Sequence, residues 1–359
     1  MKRTGAWVAG AACATTLAFS ATATAATRIV YAGNPNKLTQ KIAGKLIPNV
    51  KAFGQKYNPE INNFFTQRVT INAGDTVSFR TEGFHTVDLP GATKSDLPLI
   101  IPGGTTSGVN DAAGNPFWFN GLPSVGINPA LFARQGPSTY NGTTRVDSGL
   151  PLGNGAPKPM NIKFNKPGVY KYFCDVHPGM VGYVVVKAKG AKIPSAKQAN
   201  AAVVKQITGD VKTAKKLAKK KQPKDTVDLG EAASGGVEFL GMFPGTLKVK
   251  ANTVVTFAMG PQTRETHTAT FGPASVLKTL SDGFQGASFP SQGVYPSDPS
   301  SIVLTPTSHG DGFANTGVLD RDPGTPTIPA SNKIDFTTPG TYHYQCLIHP
   351  FMHGTIVVQ

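Results

Sequence analysis

The stretch FNKPGVYKYFCDVHPGMVGYVVV, from Phe164 to Val186, returns further on as FTTPGTYHYQCLIHPFMHGTIVV, from Phe336 to Val358. The two share F-x-x-P-G-x-Y-x-Y-x-C-x-x-H-P-x-M-x-G without a gap. Upstream, VTINAGDTVSF from Val69 precedes His85, and LKVKANTVVTF from Leu247 precedes His267. Between these lie DSGL from Asp147 and NTGVL from Asn315. Shared segments in the same order in both halves are the mark of a duplicated unit.

The residues of the repeat dictate local structure. Pro167-Gly168 and Pro339-Gly340 suit a type II turn, with Pro fixing φ at the first central position and Gly accepting positive φ at the second. A strand follows. Tyr170, Tyr172 and Cys174 lie two apart and share one face, as do Tyr342, Tyr344 and Cys346, so each sulfur ends a strand on the side the rings bury. Gly182–Val186 and Gly354–Val358 read as closing strands, leaving each His and Met on a short loop held at both ends. Forty glycines and 29 prolines among 359 residues, with short runs of Val, Ile, Thr, Tyr and Phe between them, predict an all-β chain built as sandwiches or barrels.

The formal charge of +15 invites a nucleic-acid reading until it is located: ten lysines fall between Lys192 and Lys224. Pro194-Ser195 starts a helix, Val203, Ile207, Val211, Ala214 and Ala218 recur at three- and four-residue spacing, and Pro223 stops it, so an amphipathic helix is predicted towards Lys221. Its apolar stripe is expected to pack on a neighbouring domain, and its length to set the separation of the two units. The lysines are expected to stay solvated, within reach of an acidic redox partner or an anionic cell envelope. No phosphate-cradling glycine loop and no Cys-x-x-Cys-His is present, which argues against nucleotide and covalently bound haem, and nucleic acid is not expected.

Lys2 and Arg3, the apolar stretch Ala6–Phe19 and Ala23-Thr24-Ala25 fit an export signal cleaved before Ala26. Removing it leaves Cys174 and Cys346, in a compartment that permits disulfides. Their matching surroundings argue against pairing them with each other.

A thiolate, an imidazole and a thioether on one loop favour copper over magnesium or calcium, and the second imidazole has an obvious source in His85 and His267, each following a strand at the matching place. Two His and one Cys with a weak axial Met form the blue-copper donor set. Structural zinc, the main rival, seldom uses Met.

Each unit resembles the cupredoxins of the plastocyanin, amicyanin and pseudoazurin group, and the short His-Pro-x-Met ending of Cys346 to Met352 is most similar to amicyanin's. The resemblance implies two Greek-key β-sandwich or barrel domains, over 26–190 and 233–359, joined by a Lys-rich helical linker over 191–232, with 1–25 removed as signal. It implies that His85, Cys174, His177 and Met180 bind one copper and His267, Cys346, His349 and Met352 a second. It also implies that His177 and His349 reach the surface edge of their sites, within an apolar docking surface that takes in Pro178, Gly179, Pro350 and Phe351. Thr86 and Thr268 stand where plastocyanins commonly have Asn, so the tie from this position to the cysteine sulfur is expected in altered form. The segments Gly91–Met160 and Gly272–Ser331 are longer than the family needs and are expected to form loops and short extra strands.

The expected activity is one-electron transfer with a redox protein partner outside the cytoplasm. Copper storage or delivery uses the same ligands and is the alternative. A multicopper oxidase or nitrite reductase would need more histidines: there are no His-x-His pairs, Phe173 and Gln345 adjoin the cysteines where nitrite reductases have His, and only His309, His343 and His353 are left over.

Overall fold

Along Met160–Phe164 every second residue is buried, the signature of a strand with one face on a core and one on solvent. The same physics organises most of the chain. The structure is a computed structural model that describes residues 26–152, 157–322 and 328–359; the signal expected over 1–25 lies outside them.

In the first half, one five-stranded sheet runs Phe64–Phe65, Thr27–Ala32, Thr76–Thr81, Met160–Phe164, Thr139–Tyr140, and a second runs Val146–Asp147, Asp88–Leu89, Gly168–Phe173, Val181–Lys187, Arg68–Asn72. The second half repeats this order. One sheet runs Val237–Phe243, Thr226–Ala233, Thr253–Met259, Ser331–Phe336, Ile302–Leu304, and the other Ala314–Asn315, Thr270–Phe271, Gly340–Gln345, His353–Val358, Thr246–Val249. Each pair of sheets closes on its own core. Phe79, Ile162, Phe164, Tyr172 and Val184 fill the first, and Phe257, Ile334, Phe336, Tyr344 and Ile356 the second. Each such side chain contributes roughly 1.5–3 kcal/mol by leaving water.

The halves are more closely joined than a linker implies. Pro59–Ile61, from the first half, pairs antiparallel with Val237–Phe243 and so extends the second half's sheet. The Lys-rich helix forms, over Ala196–Leu217, with Ser195 as its cap and a reciprocal bond from Gln198. It is no free spacer: Ile207, Val211, Ala214 and Leu217 share one core with Ile61 and Phe65 from the first half and Val237 and Phe239 from the second. The helices Asn36–Leu46 and Val50–Tyr57, which no motif announced, complete that core through Ile42, Ala43 and Phe53. Thr226–Ala233 is already a strand of the second half, so the last residues of the stretch read as linker belong to the sheet.

The long segments also meet. Ile100–Thr105 and Pro123–Ile127 form a hairpin, and Ala274–Gly283 is a helix. Phe117 and Phe119 from one segment pack with Leu277, Leu280, Phe284 and Phe313 from the other, and with Leu347 beside Cys346. No described helix is long and apolar enough to cross a membrane.

The Pro-Gly pairs act differently from the expected turn. Gly168 has φ 159°, nearly extended, and Gly340 is not among the positive-φ glycines. Both begin strands, and each lies close against a tyrosine ring: those of Tyr170 and Tyr342 come within 3.4 and 3.3 Å of where a Cβ would stand. Each hydroxyl closes the corner by donating to the carbonyl of Lys166 or Thr338, at 2.9 and 2.8 Å.

Candidate metal centres

The strand Gly168–Phe173 delivers Cys174 to the rim of the first core, where a tight turn brings the chain back: Met180 N–H donates to the His177 carbonyl at 2.9 Å and Cys174 N–H to the Met180 carbonyl at 3.1 Å. The second half repeats both bonds, Met352 to His349 at 2.8 Å and Cys346 to Met352 at 3.0 Å. Glycine makes room beside each turn. A Cβ at Gly182 or Gly354 would run into the buried ring of Tyr172 or Tyr344.

Within these frames the sequence-assigned donors converge. Cys174 Sγ lies 3.7 Å from His85 Nδ1 and 3.4 Å from His177 Nδ1. Cys346 Sγ lies 3.9 Å from His267 Nδ1 and 4.0 Å from His349 Nδ1. Met180 and Met352 are each 1% exposed, in the same cores as the cysteines. Both cysteines are buried and free. His309, His343 and His353 stand apart: His309 lies between Asp111 and Asp298, His343 bonds the Thr355 hydroxyl at 3.1 Å, and His353 is exposed.

The upstream histidines rest on glycines. Gly33, at φ +84°, lies under the His85 ring, and Gly230, at φ +74°, under His267. A Cβ on Gly33 would stand 2.5 Å from His85 Cδ2, and one on Gly230 would stand 2.9 Å from His267 Nε2. Thr86 and Thr268 do tie to the sulfurs. Their backbone N–H groups reach Cys174 and Cys346 Sγ at 3.4 Å. Their hydroxyls accept from Asp175 N–H at 2.7 Å and Leu347 N–H at 2.9 Å, joining the two ligand loops.

This donor chemistry fits a soft cation. His267 and His349 place their Nδ1 atoms 3.1 Å apart, an arrangement in which two lone pairs repel unless a proton or metal lies between them. Burial, then the neighbouring His177, keeps His85 well below the usual histidine range, so its imidazole is neutral and able to donate a lone pair. Burial would raise the Cys346 thiol, but the hydrogen bond and charge of His267 bring it down, towards the thiolate that binds metal.

The loop histidines do not reach open surface as expected. The His177 side chain is 4% exposed and that of His349 21%, because the two halves meet here. Between them stands Glu265: its Oε1 accepts from His177 Nε2–H at 2.8 Å, and its Oε2 is 3.7 Å from His349 Nε2. Of the expected docking residues, Phe351 is 53% exposed, its ring centroid 5.9 Å from that of His349. Pro350 and Gly179 are exposed, and Pro178 is half-buried.

A third buried group adjoins the first centre. Asp88, Asp147 and Asp175 bring carboxylate oxygens within 4.8 Å of one another, and Arg145 pairs with Asp88. At the matching places the second half has Thr270, Asn315 and Leu347, with the Thr270 hydroxyl donating to Asn315 Oδ1 at 2.7 Å.

No protein-family model and no curated protein matches the chain. Among solved structures, the reduced Cu(I) form of an amicyanin mutant is similar over 40% of this chain and 89% of its own, at 18% identity and a TM-score of 0.22. A mutant plastocyanin of fern is similar over 37% of this chain and 99% of its own, at 23% identity and a TM-score of 0.22. The oxidized plastocyanin of Dryopteris crassirhizoma gives 22% identity over 37% and 99%, with a TM-score of 0.21. TM-scores this low carry no weight for the fold, which stands on the strand order above.

Proposed function

We propose that this chain is an exported protein of two cupredoxin domains, each holding one copper, and that it carries single electrons between redox protein partners. The observation that supports it best is the twofold convergence of one sulfur and two Nδ1 atoms, with a buried methionine after each loop histidine. His85, Cys174, His177 and Met180 would hold one copper, and His267, Cys346, His349 and Met352 the other. Copper in such a set supplies one-electron chemistry between Cu(I) and Cu(II).

The chain's own residues do the rest. Gly33 and Gly230 seat the upstream rings, and the Thr86 and Thr268 N–H groups stabilise charge on the sulfurs. Burial of all four donors of the first set, and of His267, Cys346 and Met352 in the second, limits access of water and substrates to the metal, which suits a carrier better than an oxidase. The partly open His349, beside exposed Phe351, offers the more accessible approach for a partner, and the solvated lysines of the helix favour an acidic one.

The test separates a carrier from a copper-delivery protein. Copper-loaded protein is cycled repeatedly with ascorbate and ferricyanide, then challenged with a competing apo-copper protein. A carrier cycles fast and keeps its copper. Ready loss to the competitor with slow cycling would instead establish delivery and overturn the reading.

A further inference from the structure

Resting on the reading that both donor sets hold copper, we infer that Glu265 is a positioning residue shared by the two centres, its single carboxylate holding the loop histidines of both halves and passing changes at one to the other. His177 and His349 both aim Nδ1 at their own cysteine and Nε2 towards this one side chain, His177 at a hydrogen-bonding 2.8 Å and His349 at 3.7 Å, an ion-pair distance that a small shift closes to a hydrogen bond. An Nε2–H given to a carboxylate fixes the imidazole tautomer, leaves the Nδ1 lone pair for the metal and makes that ligand a better donor. A carboxylate shared between two such rings cannot respond to one without altering its hold on the other.

The carboxylate is built into place rather than lying there loosely. Asn62, from the first half, donates Nδ2–H to Glu265 Oε1 at 3.2 Å. Arg264 reaches the Asn62 carbonyl. Its own N–H donates to Glu238 Oε1 at 2.7 Å, and the Thr263 hydroxyl to Glu238 Oε2 at 2.8 Å. The Glu265 side chain is 10% exposed. The device occurs once. Two residues before the upstream histidine, the second half has Glu265 and the first has Gly83, so one glutamate serves both centres.

The test uses nitrogen-15-labelled full-length protein carrying Cys346→Ser, in which only the first centre can take metal. Long-range proton–nitrogen spectra report the tautomer and shifts of His177 and His349 before and after one equivalent of Cu(I). The expected result is Nε2–H tautomers for both rings before metal, and a shift of the His349 nitrogens when the first centre fills. Glu265→Gln, which offers one acceptor in place of two, is expected to cut that His349 shift at least fivefold while the protein still binds Cu(I). Should Glu265→Gln fail to fold, Glu265→Asp, a methylene too short to reach both rings, is expected to give the same loss. An unchanged His349 response in the folded variant would overturn the inference, as would an unprotonated His349 Nε2 in the parent. If no Cu(I) binds, the copper reading fails by itself, and the tautomers of the metal-free protein, compared with and without Glu265→Gln, still decide whether the carboxylate holds both rings.

Discussion

Gly33 and Gly230 do for the upstream histidines what no other residue type can, combining a left-handed φ with an absent Cβ where an imidazole must lie. Gly33→Ala is expected to cost about 1–3 kcal/mol of stability through that φ and the contacts. It is also expected to push His85 away, so that bound copper falls from two per chain towards one while the second centre keeps its spectrum; metal analysis with a denaturation curve checks both. The acidic trio gives a second prediction at this scale. Burial, then Asp175, pushes Asp88 up to about 9, against the pull of Arg145. Asp147 is pushed to about 8 by burial, then Asp175. A carboxyl raised on folding holds a proton that the unfolded chain releases from about pH 4, so its contribution is full below that and is lost as pH rises through 8 to 9. Asp147→Asn, which installs the residue that the second half has at Asn315, is expected to flatten that decline and to be more stable than the parent at pH 8. Chemical denaturation at pH 5 and pH 8 reads the difference, and an unchanged slope would count against it. The gathering of each cysteine with two histidines was legible in the sequence, because a Cys-x-x-His-x-x-Met spacing occurs twice, each time with a histidine upstream. The glycine seats were not, since Gly33 and Gly230 lie far from the motif and look like any turn glycine.

At the scale of elements, the helix Ala196–Leu217 acts as a brace. Its start was written in Ser195 and Gln198, which form the capping box, and its buried face in the spacing of Val203, Ile207, Val211 and Ala214. What it packs on was not legible, because the partners Phe65, Val237 and Phe239 sit on strands of different halves and share no pattern with it. Ile207 is fully buried, and Ile207→Ala is expected to cost about 2–5 kcal/mol, while Ser195→Ala costs about 1 kcal/mol through the cap alone. Because the helix touches both halves, Ile207→Ala is expected to lower the unfolding midpoint of both together. Loss confined to helical signal, with both β-cores melting as before, would restore the picture of a spacer. The Pro-Gly pairs stand before a strand as expected, but the glycine packs against the ring of Tyr170 or Tyr342 and does not complete a type II turn.

For the whole molecule, the repeated strand order, with Thr226–Ala233 and Thr253–Met259 matching Thr27–Ala32 and Thr76–Thr81, was foreshadowed by the paired motifs. The way the halves face each other was not. The contact is made by parts that are not repeated, namely Pro59–Ile61, the three helices, the long segments around Phe119 and Phe284, and Glu265, whose counterpart in the first half is Gly83. That contact buries His177 and half-covers His349, and it turns two sites expected at separate surfaces into neighbours across one carboxylate. Electron transfer through two such centres requires first that both donor sets hold copper through a thiolate. The most direct measurement is the bound-copper count and visible absorption of the Cu(II)-loaded protein beside Cys174→Ser and Cys346→Ser. Two coppers per chain and an intense blue thiolate band, each reduced by about half in either variant, are expected. A colourless protein, or copper retained in full by both variants, would contradict that requirement.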